Sequence, residues 1–132
     1  MIYLDACALV KLVLTEPETG ALTAHLDSSR EPKISTELAG VEVRRTLIRV
    51  GASADRRAEA ERLLASVARL PVGPIIETAG RLPEPHLRSL DAIHLATAQL
   101  LGPAVTQFIT YDHRLGKAAL DAGLPVITPG TN

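Results

Sequence analysis

The chain has 132 residues, of which 46% are hydrophobic and 22% are charged, and its formal net charge is −1. A chain of this size and composition is typical of a globular protein with a single buried core, so we predict one domain over residues 1–132 and exclude a disordered protein. The charge excludes a protein that coats nucleic acid by bulk electrostatic attraction, because such proteins are strongly basic.

The first predicted element is a short buried strand over residues 2–4, which ends at Asp5. Apolar residues at helical spacing then predict a helix over 8–14. The segment Glu16-Pro-Glu breaks this helix and starts another over 17–29, because proline is favoured in the first turn of a helix. The chain therefore begins with a strand followed by two helices.

The N-terminal segment and the single cysteine limit where the protein can act. Asp5 and Lys11 interrupt the apolar run MIYLDACALVKLVL, which is therefore unlike a secretion signal or a membrane span. Cys7 is the single cysteine, so neither an intrachain disulfide nor a C-x-x-C metal site can form, and we expect its side chain to be a small buried group. We expect a cytoplasmic protein with no membrane contact.

The middle of the chain is predicted to contain a helical hairpin between two short strands. The helices lie over 36–50 and 54–70, and the strands over 33–35 and 73–76. Ser35 or Thr36 is the expected N-cap of the first helix, which ends at Gly51, and Pro71 closes the second.

The last part of the chain alternates between helices and strands. Helices are predicted over 90–101 and 114–122, and strands over 107–111 and 125–128. Short apolar strands that alternate with helices are typical of a mostly parallel sheet with helices on both faces. The sequence therefore predicts an α/β domain.

Four acidic residues are predicted to lie near one edge of this sheet. Asp5 and Asp112 directly follow strands, and the carboxyl ends of parallel strands form the ligand crevice of an open sheet. Asp91 begins a helix whose N-terminus should face the same edge, and Glu42 lies about two turns into another helix. Taken singly, each aspartate is explained as well by helix capping or by a turn.

A cluster of four carboxylates, however, indicates a metal site. Like charges at short range repel strongly, so such a cluster persists only when its members are protonated or a cation lies among them. Oxygen ligands without cysteine or a histidine pair favour a hard ion, Mg²⁺ or Mn²⁺. Such ions serve in phosphodiester hydrolysis, and the common glycine-rich phosphate motifs and the G-x-S-x-G motif are absent from the sequence. The residues favour a metal-dependent nuclease.

Three other classes of protein were compared with this interpretation. A phosphoacceptor receiver domain needs a pair of acids early in the chain, and a haloacid-dehalogenase phosphatase needs D-x-D after the first strand, where Asp5-Ala-Cys7 supplies one acid. A binding module without catalysis is disfavoured because all four acids are present.

Over almost its whole length the sequence resembles the PIN-domain ribonucleases, and specifically the VapC-type toxins of bacterial toxin–antitoxin pairs. Four segments carry the resemblance in the family's order: IYLDACALVKLVLTEPET, ISTELAGVEVRR, LRSLDAIHLATAQLL and FITYDHRLGKAALDAGLPVITP. The resemblance implies a three-layer α/β/α, PIN-like domain of Rossmann-like topology, with a mostly parallel central sheet of four to five strands. It also implies a metal-dependent endoribonuclease that inhibits translation and growth.

The resemblance also implies a site and partners. The family's metal-binding acids match Asp5, Glu42, Asp91 and Asp112, which are therefore expected to be both catalytic and metal-binding. The expected cofactor is Mg²⁺, with Mn²⁺ also supporting activity. The expected partners are an RNA substrate and a cognate VapB-type antitoxin that neutralises the toxin. A homodimer that assembles with the antitoxin into a hetero-oligomer is expected as well.

Several residues near these acids carry alternative interpretations. Cys7 stands where the family usually has Ser or Thr, which brings a weaker hydrogen-bond donor to the site. His94 is expected to pack or to support a ligand rather than to bind metal, because hard ions prefer oxygen. Glu16 is either a site acid or a helix-end residue. Thr110 either matches a small hydroxyl residue of the family or is an ordinary strand residue, and Arg114 either reaches a phosphate or is solvated.

A stretch in the middle of the chain is locally basic. It contains three acids and seven arginines, namely Arg44, Arg45, Arg49, Arg56, Arg57, Arg62 and Arg69. These arginines form either a phosphate-contacting surface or a solvated helix face with Glu–Arg pairs. The three aromatic residues are too few for a base-stacking platform, so RNA selection is expected to rest on shape and arginine contacts. The sequence leaves tRNA, rRNA and mRNA all open.

Overall fold

A five-stranded parallel sheet forms the centre of the fold in the computed structural model, which describes residues 1–131. Its strands are β1 (Ile2–Leu4), β2 (Lys33–Thr36), β3 (Ala68–Leu70), β4 (Gln107–Ile109) and β5 (Val126–Ile127). They lie side by side in the order β3-β2-β1-β4-β5, and every neighbouring pair is parallel. The predicted parallel sheet of four to five strands is confirmed.

Seven α-helices connect these strands in residues 1–131. They are α1 (Ala6–Val13), α2 (Thr19–Asp27), α3 (Leu38–Arg49), α4 (Ala54–Ser66), α5 (Ile76–Gly80), α6 (Ser89–Leu101) and α7 (His113–Asp121). Within this part of the chain, no helix is long and apolar enough to cross a bilayer.

The helices cover both faces of the sheet because successive strand residues point to opposite faces. Ile2 and Leu4 of β1 join Ile109 of β4 in a core with the buried sides of α1 to α4. Tyr3 and Phe108 point the other way and pack with α6 and α7. The predicted three-layer α/β/α architecture is confirmed.

The centre of the second core is an aromatic stack. The rings of Tyr3 and Phe108 are fully buried and lie nearly parallel, with centroids 5.1 Å apart and an interplanar angle of 4°. A stacked pair of this kind contributes about 0.5–1.5 kcal/mol beyond its buried area. The stack fixes the ring of Tyr3 near the carboxyl end of β1.

The strand predicted over residues 73–76 is wrong. Gly73–Ile75 forms a 3₁₀ turn that leads into α5, and the strand at this edge is Ala68–Leu70, where the helix had been predicted to continue to residue 70. Pairing with β2, in which Ala68 lies opposite Ile34, outweighs the helix propensity of this segment. Pro74 has no N–H for a ladder but fits the first turn of a helix.

The helix predicted after Ser35 or Thr36 starts two residues later than expected. The N-cap position of α3 is Glu37, although Thr36 still supplies a capping oxygen because its Oγ1 accepts the N–H of Leu38 at 3.0 Å. The side chain of Glu37 instead accepts the N–H of Val72 and ties the start of α3 to the turn after β3.

Candidate active site

A cleft of about 890 Å³ lies at the carboxyl ends of β1 and β4. The strand order reverses between these two strands, and such a switch point is where open parallel sheets bind ligands. All four acids singled out in the sequence line this cleft, namely Asp5, Glu42, Asp91 and Asp112. The fold therefore brings together residues from β1, α3, α6 and the end of β4.

Asp5 is the most constrained of the four acids. Its carboxylate is 3% exposed and accepts the N–H of Ala8 at 2.9 Å, which caps α1. The hydroxyl of Thr110 and the thiol of Cys7 also donate to it, the thiol at 3.0 Å and 3.1 Å from the two oxygens. Burial raises the pKa of Asp5, and His94 and these donors oppose the rise. The carboxylate is thus held in one orientation.

Asp112 is held in a similar way at the start of α7. Its Oδ1 accepts the N–H of Leu115 at 2.9 Å, so it caps the helix. Its own N–H donates to Oγ1 of Thr110 at 3.1 Å. Because the same hydroxyl donates to Asp5, Thr110 links the two strand-end aspartates and is more than an ordinary strand residue.

Asp91 does not cap the helix in which it lies. The N-cap position of α6 is Arg88, and no side chain there accepts a capping hydrogen bond. Burial raises the pKa of Asp91, and the nearby charges of Asp112, Asp5 and Glu42 raise it further, against an opposing effect of His94. The four acids thus bring like charges into one cleft.

Glu42 reaches the cleft from α3, and the buried side chain of His94 forms a hydrogen bond with its carboxylate. Oε1 of Glu42 lies 2.8 Å from Nε2 of His94, and Nδ1 of the same ring lies 2.8 Å from the hydroxyl of Tyr3. Burial alone would lower the pKa of His94, but the hydrogen bond to Glu42 and the charges of Asp5 and Asp91 raise it overall. The expectation that His94 supports a ligand agrees with this contact.

The donor set in the cleft fits a hard divalent ion. It consists of carboxylate oxygens whose mutual repulsion a cation would relieve, and oxygen ligands are those that Mg²⁺ and Mn²⁺ prefer. With the side chains as they stand in residues 1–131, no three His, Cys, Asp or Glu groups converge at metal-binding spacing. Binding of an ion therefore requires some of these side chains to rotate toward one point.

Cys7 differs from the small buried group expected from the sequence. It is partly exposed, lines the cleft, and donates its S–H to Asp5. Burial raises the pKa of the Cys7 thiol to about 12, and the charge of Asp5 and the hydrogen bond to it add to this rise, so the group keeps its proton at neutral pH. The residue thus supplies the donor that Ser or Thr would supply at this position.

Three arginines line the rim of the cleft, namely Arg49 of α3, Arg88 before α6 and Arg114 of α7. All three are exposed, and within residues 1–131 none of them forms an ion pair with a carboxylate. Sequence reasoning missed Arg88, although its position three residues before Asp91 could have indicated it. By contrast, Arg44 pairs with Glu61 away from the cleft.

A second cluster lies beside the cleft and is structural. Lys11 is buried, pairs with Glu16 and with Glu18, the latter at 2.8 Å, and lies 4.6 Å above the ring of Tyr111. The hydroxyl of Tyr111 donates to the carbonyl of Pro129 at 2.7 Å. Glu16 thus serves to bind Lys11, in agreement with its interpretation as a helix-end residue.

The chain is similar to known ribonucleases over almost its whole length. The PIN domain family matches residues 2–120. The chain is 46% identical over 129 residues to Ribonuclease VapC46 of Mycobacterium tuberculosis (strain ATCC 25618 / H37Rv), covering 97% of each chain. It is 42% identical over 134 residues to Ribonuclease VapC35 of M. tuberculosis (strain CDC 1551 / Oshkosh), covering 98% of each.

A solved structure shares the fold. The crystal structure of M. tuberculosis VapC20, a Sarcin-Ricin loop cleaving toxin, superposes with a TM-score of 0.73. The superposition covers 89% of this chain and 95% of that chain, at 19% sequence identity.

Proposed function

The chain belongs to the PIN-domain family and, within it, to the VapC ribonucleases, and from this premise we propose that it is a metal-dependent endoribonuclease and the toxin of a toxin–antitoxin pair. The observation that carries the proposal is that four acids from separate elements line one cleft at the switch point of the sheet. We further propose that residues 1–132 act as one domain in the cytoplasm.

The four acids would hold Mg²⁺, with Mn²⁺ as a substitute. The chemistry expected of such an ion is polarisation of the scissile phosphate and activation of the attacking water. Asp5 and Asp112 contribute carboxylates that backbone N–H groups already hold in place. Burial and the charges of Asp112, Asp5 and Glu42 raise the pKa of Asp91, and a bound cation would relieve this penalty on its ionised form.

The substrate class proposed for the cleft is RNA, as the names of the related ribonucleases suggest. Arg49, Arg88 and Arg114 line the same cleft as the acids and have no carboxylate partners within the described residues. Guanidinium groups bind phosphate oxygens in bidentate fashion. These arginines are placed to contact the phosphates that flank the cleaved bond.

A VapB-type antitoxin is the proposed protein partner. A groove between α1 and α3 opens into the cleft and shares with it Ala6, Cys7, Glu42, Arg49 and Asp112. An extended antitoxin segment in this groove could place an arginine among the carboxylates and exclude RNA. A homodimer carrying two such sites, assembled with the antitoxin into a hetero-oligomer, completes the proposal.

Cleavage of RNA by the purified, metal-free protein tests the enzymatic part. We expect no cleavage without metal, cleavage on addition of Mg²⁺ or Mn²⁺, and loss of cleavage with excess EDTA. The variant Asp91→Asn keeps the shape of the side chain and should be inactive with either ion. A folded Asp91→Asn protein with full activity would refute the assignment of the site. Mapping of the cleaved ends in total RNA would identify the substrate.

A further inference from the structure

Behind Glu42 lies a buried chain of hydrogen bonds that the proposed function does not use. The hydroxyl of Tyr3 lies 2.8 Å from Nδ1 of His94, and Nε2 of His94 lies 2.8 Å from Oε1 of Glu42. Tyr3 is fully buried in the core and His94 is 1% exposed, whereas Glu42 lines the cleft. The chain of contacts therefore runs from the core of the protein to the proposed metal site.

The polarity of these hydrogen bonds follows from the groups that form them. An ionised carboxylate can only accept, so Nε2 of His94 carries the hydrogen that is shared with Glu42. The hydroxyl of Tyr3 is a neutral phenol, which can donate or accept a hydrogen bond. Nδ1 therefore accepts from Tyr3 when the ring is neutral and donates to it when the ring is charged. In both states Nε2–H donates to Glu42.

The imidazole ring itself cannot turn freely. Its ring meets that of Tyr3 edge to face, with centroids 5.8 Å apart and an interplanar angle of 85°. Tyr3 in turn stacks on Phe108. Because the imidazole ring is fixed, its hydrogen bond restrains the side chain of Glu42 before any ligand binds. Less conformational entropy is then lost when a ligand binds. The contact engages Oε1, and Oε2 receives no hydrogen bond within residues 1–131.

We propose that His94 is a positioning residue that, anchored by Tyr3, keeps Glu42 at the cleft through its Oε1 and leaves its Oε2 to bind the divalent ion. The inference rests on the proposed function, because it takes Glu42 as a ligand of that ion. His94 does not itself bind the ion, since both of its ring nitrogens already have partners in the protein. Loss of a hydrogen-bond partner of a metal ligand typically lowers metal affinity about 10-fold to 100-fold.

Binding of Mn²⁺ to the metal-free protein, measured by isothermal calorimetry, tests this role without reference to catalysis. We expect His94→Leu to weaken Mn²⁺ binding by about 10-fold to 100-fold. His94→Gln carries an amide N–H that can donate to Glu42 from a similar position, so it should retain most of the affinity. Tyr3→Phe removes the anchoring hydroxyl but keeps the ring, and should weaken binding less than His94→Leu.

The comparison of His94→Gln with His94→Leu shows whether Mn²⁺ affinity depends on the hydrogen bond to Glu42 or only on the packing of the side chain. Wild-type affinity in His94→Leu would overturn the inference, and so would an equal loss in the leucine and glutamine variants. Thermal unfolding of each variant without metal establishes that it is folded. Should His94→Leu fail to fold, ¹⁵N NMR of the histidine rings in the wild-type protein decides, since a His94 Nε2 without a proton would overturn the inference.

Asp91→Asn, measured in parallel, distinguishes the two proposals. If it loses Mn²⁺ binding while His94→Leu binds normally, the positioning role fails and the proposed function stands. If the wild-type protein binds no Mn²⁺, the proposed function fails and the inference fails with it.

Discussion

Three aspartates of the cleft follow strands or begin helices, yet their carboxylates differ in the hydrogen bonds that they accept. Asp5 and Asp112 accept capping hydrogen bonds from Ala8 and Leu115, whereas Asp91 accepts no capping bond at the start of α6. Capping and metal binding are thus compatible at two of these positions. At Asp91 the carboxylate is left to interact with its neighbours through charge alone.

Removal of the Asp91 charge should therefore stabilise the metal-free protein. A raised pKa in the folded state means that ionisation opposes folding, so the penalty appears as the pH rises through the ordinary aspartate value of 3.8 and is complete above the raised value. We expect Asp91→Asn to have a higher free energy of unfolding than wild type at pH 7, and the difference to vanish below pH 3.8. Urea denaturation across this pH range measures it.

A surface aspartate provides the control for this measurement. Asp121 is exposed and pairs with Lys117 at 2.8 Å, so Asp121→Asn should give no gain at pH 7. Addition of Mn²⁺ should stabilise wild type but not Asp91→Asn, which reverses the order of the two proteins. A loss of stability in metal-free Asp91→Asn at pH 7 would show that repulsion does not dominate at this residue.

The thiol of Cys7 permits a second test at the level of one side chain. Cys7→Ser keeps a donor for Asp5, whereas Cys7→Ala removes it and leaves the carboxylate with Thr110 and Ala8. We expect the serine variant to cleave RNA at least as well as wild type. The alanine variant should bind Mn²⁺ about tenfold more weakly. Equal affinities in the two variants would mean that the thiol fills space and does not support Asp5.

The elements of the fold differ in how well the sequence predicts them. The long apolar patterns of α3 and α6 predict both ends of each helix to within two residues. The failure lies at β3, a strand of three residues at the sheet edge, which follows a helix of strong helix formers. Its strand conformation depends on pairing with β2, and no local pattern contains that information.

The site could be predicted in part for a similar reason. The carboxyl ends of parallel strands meet at one edge, so Asp5 and Asp112 could be placed there from the sequence, whereas the position of Glu42 depended on how its helix packs. The contact between Tyr3 and His94 joins residues 91 positions apart, and the contact between His94 and Glu42 joins residues 52 apart. Such contacts depend on how helices pack on the sheet, which periodicity does not specify.

The cluster around Lys11 links three elements and should respond to pH. Lys11→Met keeps an unbranched side chain, shorter by the amino group, but removes the ion pairs and the cation–π contact. We expect a loss of about 1 kcal/mol in the free energy of unfolding at pH 7. The hydrogen bond from Lys11 lowers the pKa of Glu18, so this contribution is present above 4.5 and is lost as the pH falls through the lowered value.

Urea denaturation of both proteins at several pH values checks this expectation. The difference in stability between wild type and Lys11→Met should narrow as the pH falls from 4.5 through the lowered pKa of Glu18, at which the folded protein takes up the proton. Lys117→Met, which removes an exposed pair with Asp121, is the matched control and should change stability little at any pH. A pH-independent difference would assign the effect of Lys11 to packing.

At the scale of the whole molecule, the distribution of charge matters more than its sum. The net charge is −1, yet three arginines without carboxylate partners line an acidic cleft within the described residues. If Arg49, Arg88 and Arg114 contact phosphates, replacing all three by Gln should weaken RNA binding. It should also reduce the slope of log affinity against log salt by about 2, given about 0.7 per phosphate contact on single strands.

A matched triple variant controls for the loss of positive charge. Arg45, Arg57 and Arg62 are exposed and lie outside the cleft, so replacing them by Gln removes the same charge from elsewhere. Binding is measured with the inactive Asp91→Asn background at several salt concentrations. Equal slopes for the two triple variants would contradict the assignment of the rim arginines, because loss of positive charge elsewhere would then have the same effect.

The toxin assignment is tested in cells and by purification. Expression of the chain should arrest growth, and co-expression of a VapB-type antitoxin encoded beside its gene should relieve the arrest. The two proteins should also purify as one complex whose RNA cleavage is suppressed. If growth is not relieved and no complex forms, the toxin assignment fails and the metal-dependent nuclease remains.

The pairing of β1 with β4 also determines when the protein becomes active during its synthesis. Asp5 leaves the ribosome early, but the hydroxyl that holds it belongs to Thr110, 105 residues later, and Asp112 follows β4. Because chains emerge from the N-terminus onward, β1 can pair with β2 early but cannot pair with β4 until most of the protein has been made. If Asp5 and Asp112 belong to the active site as proposed, a nascent chain carries an incomplete site, and the ribosome has translated past Asp112 before its product can cut any RNA.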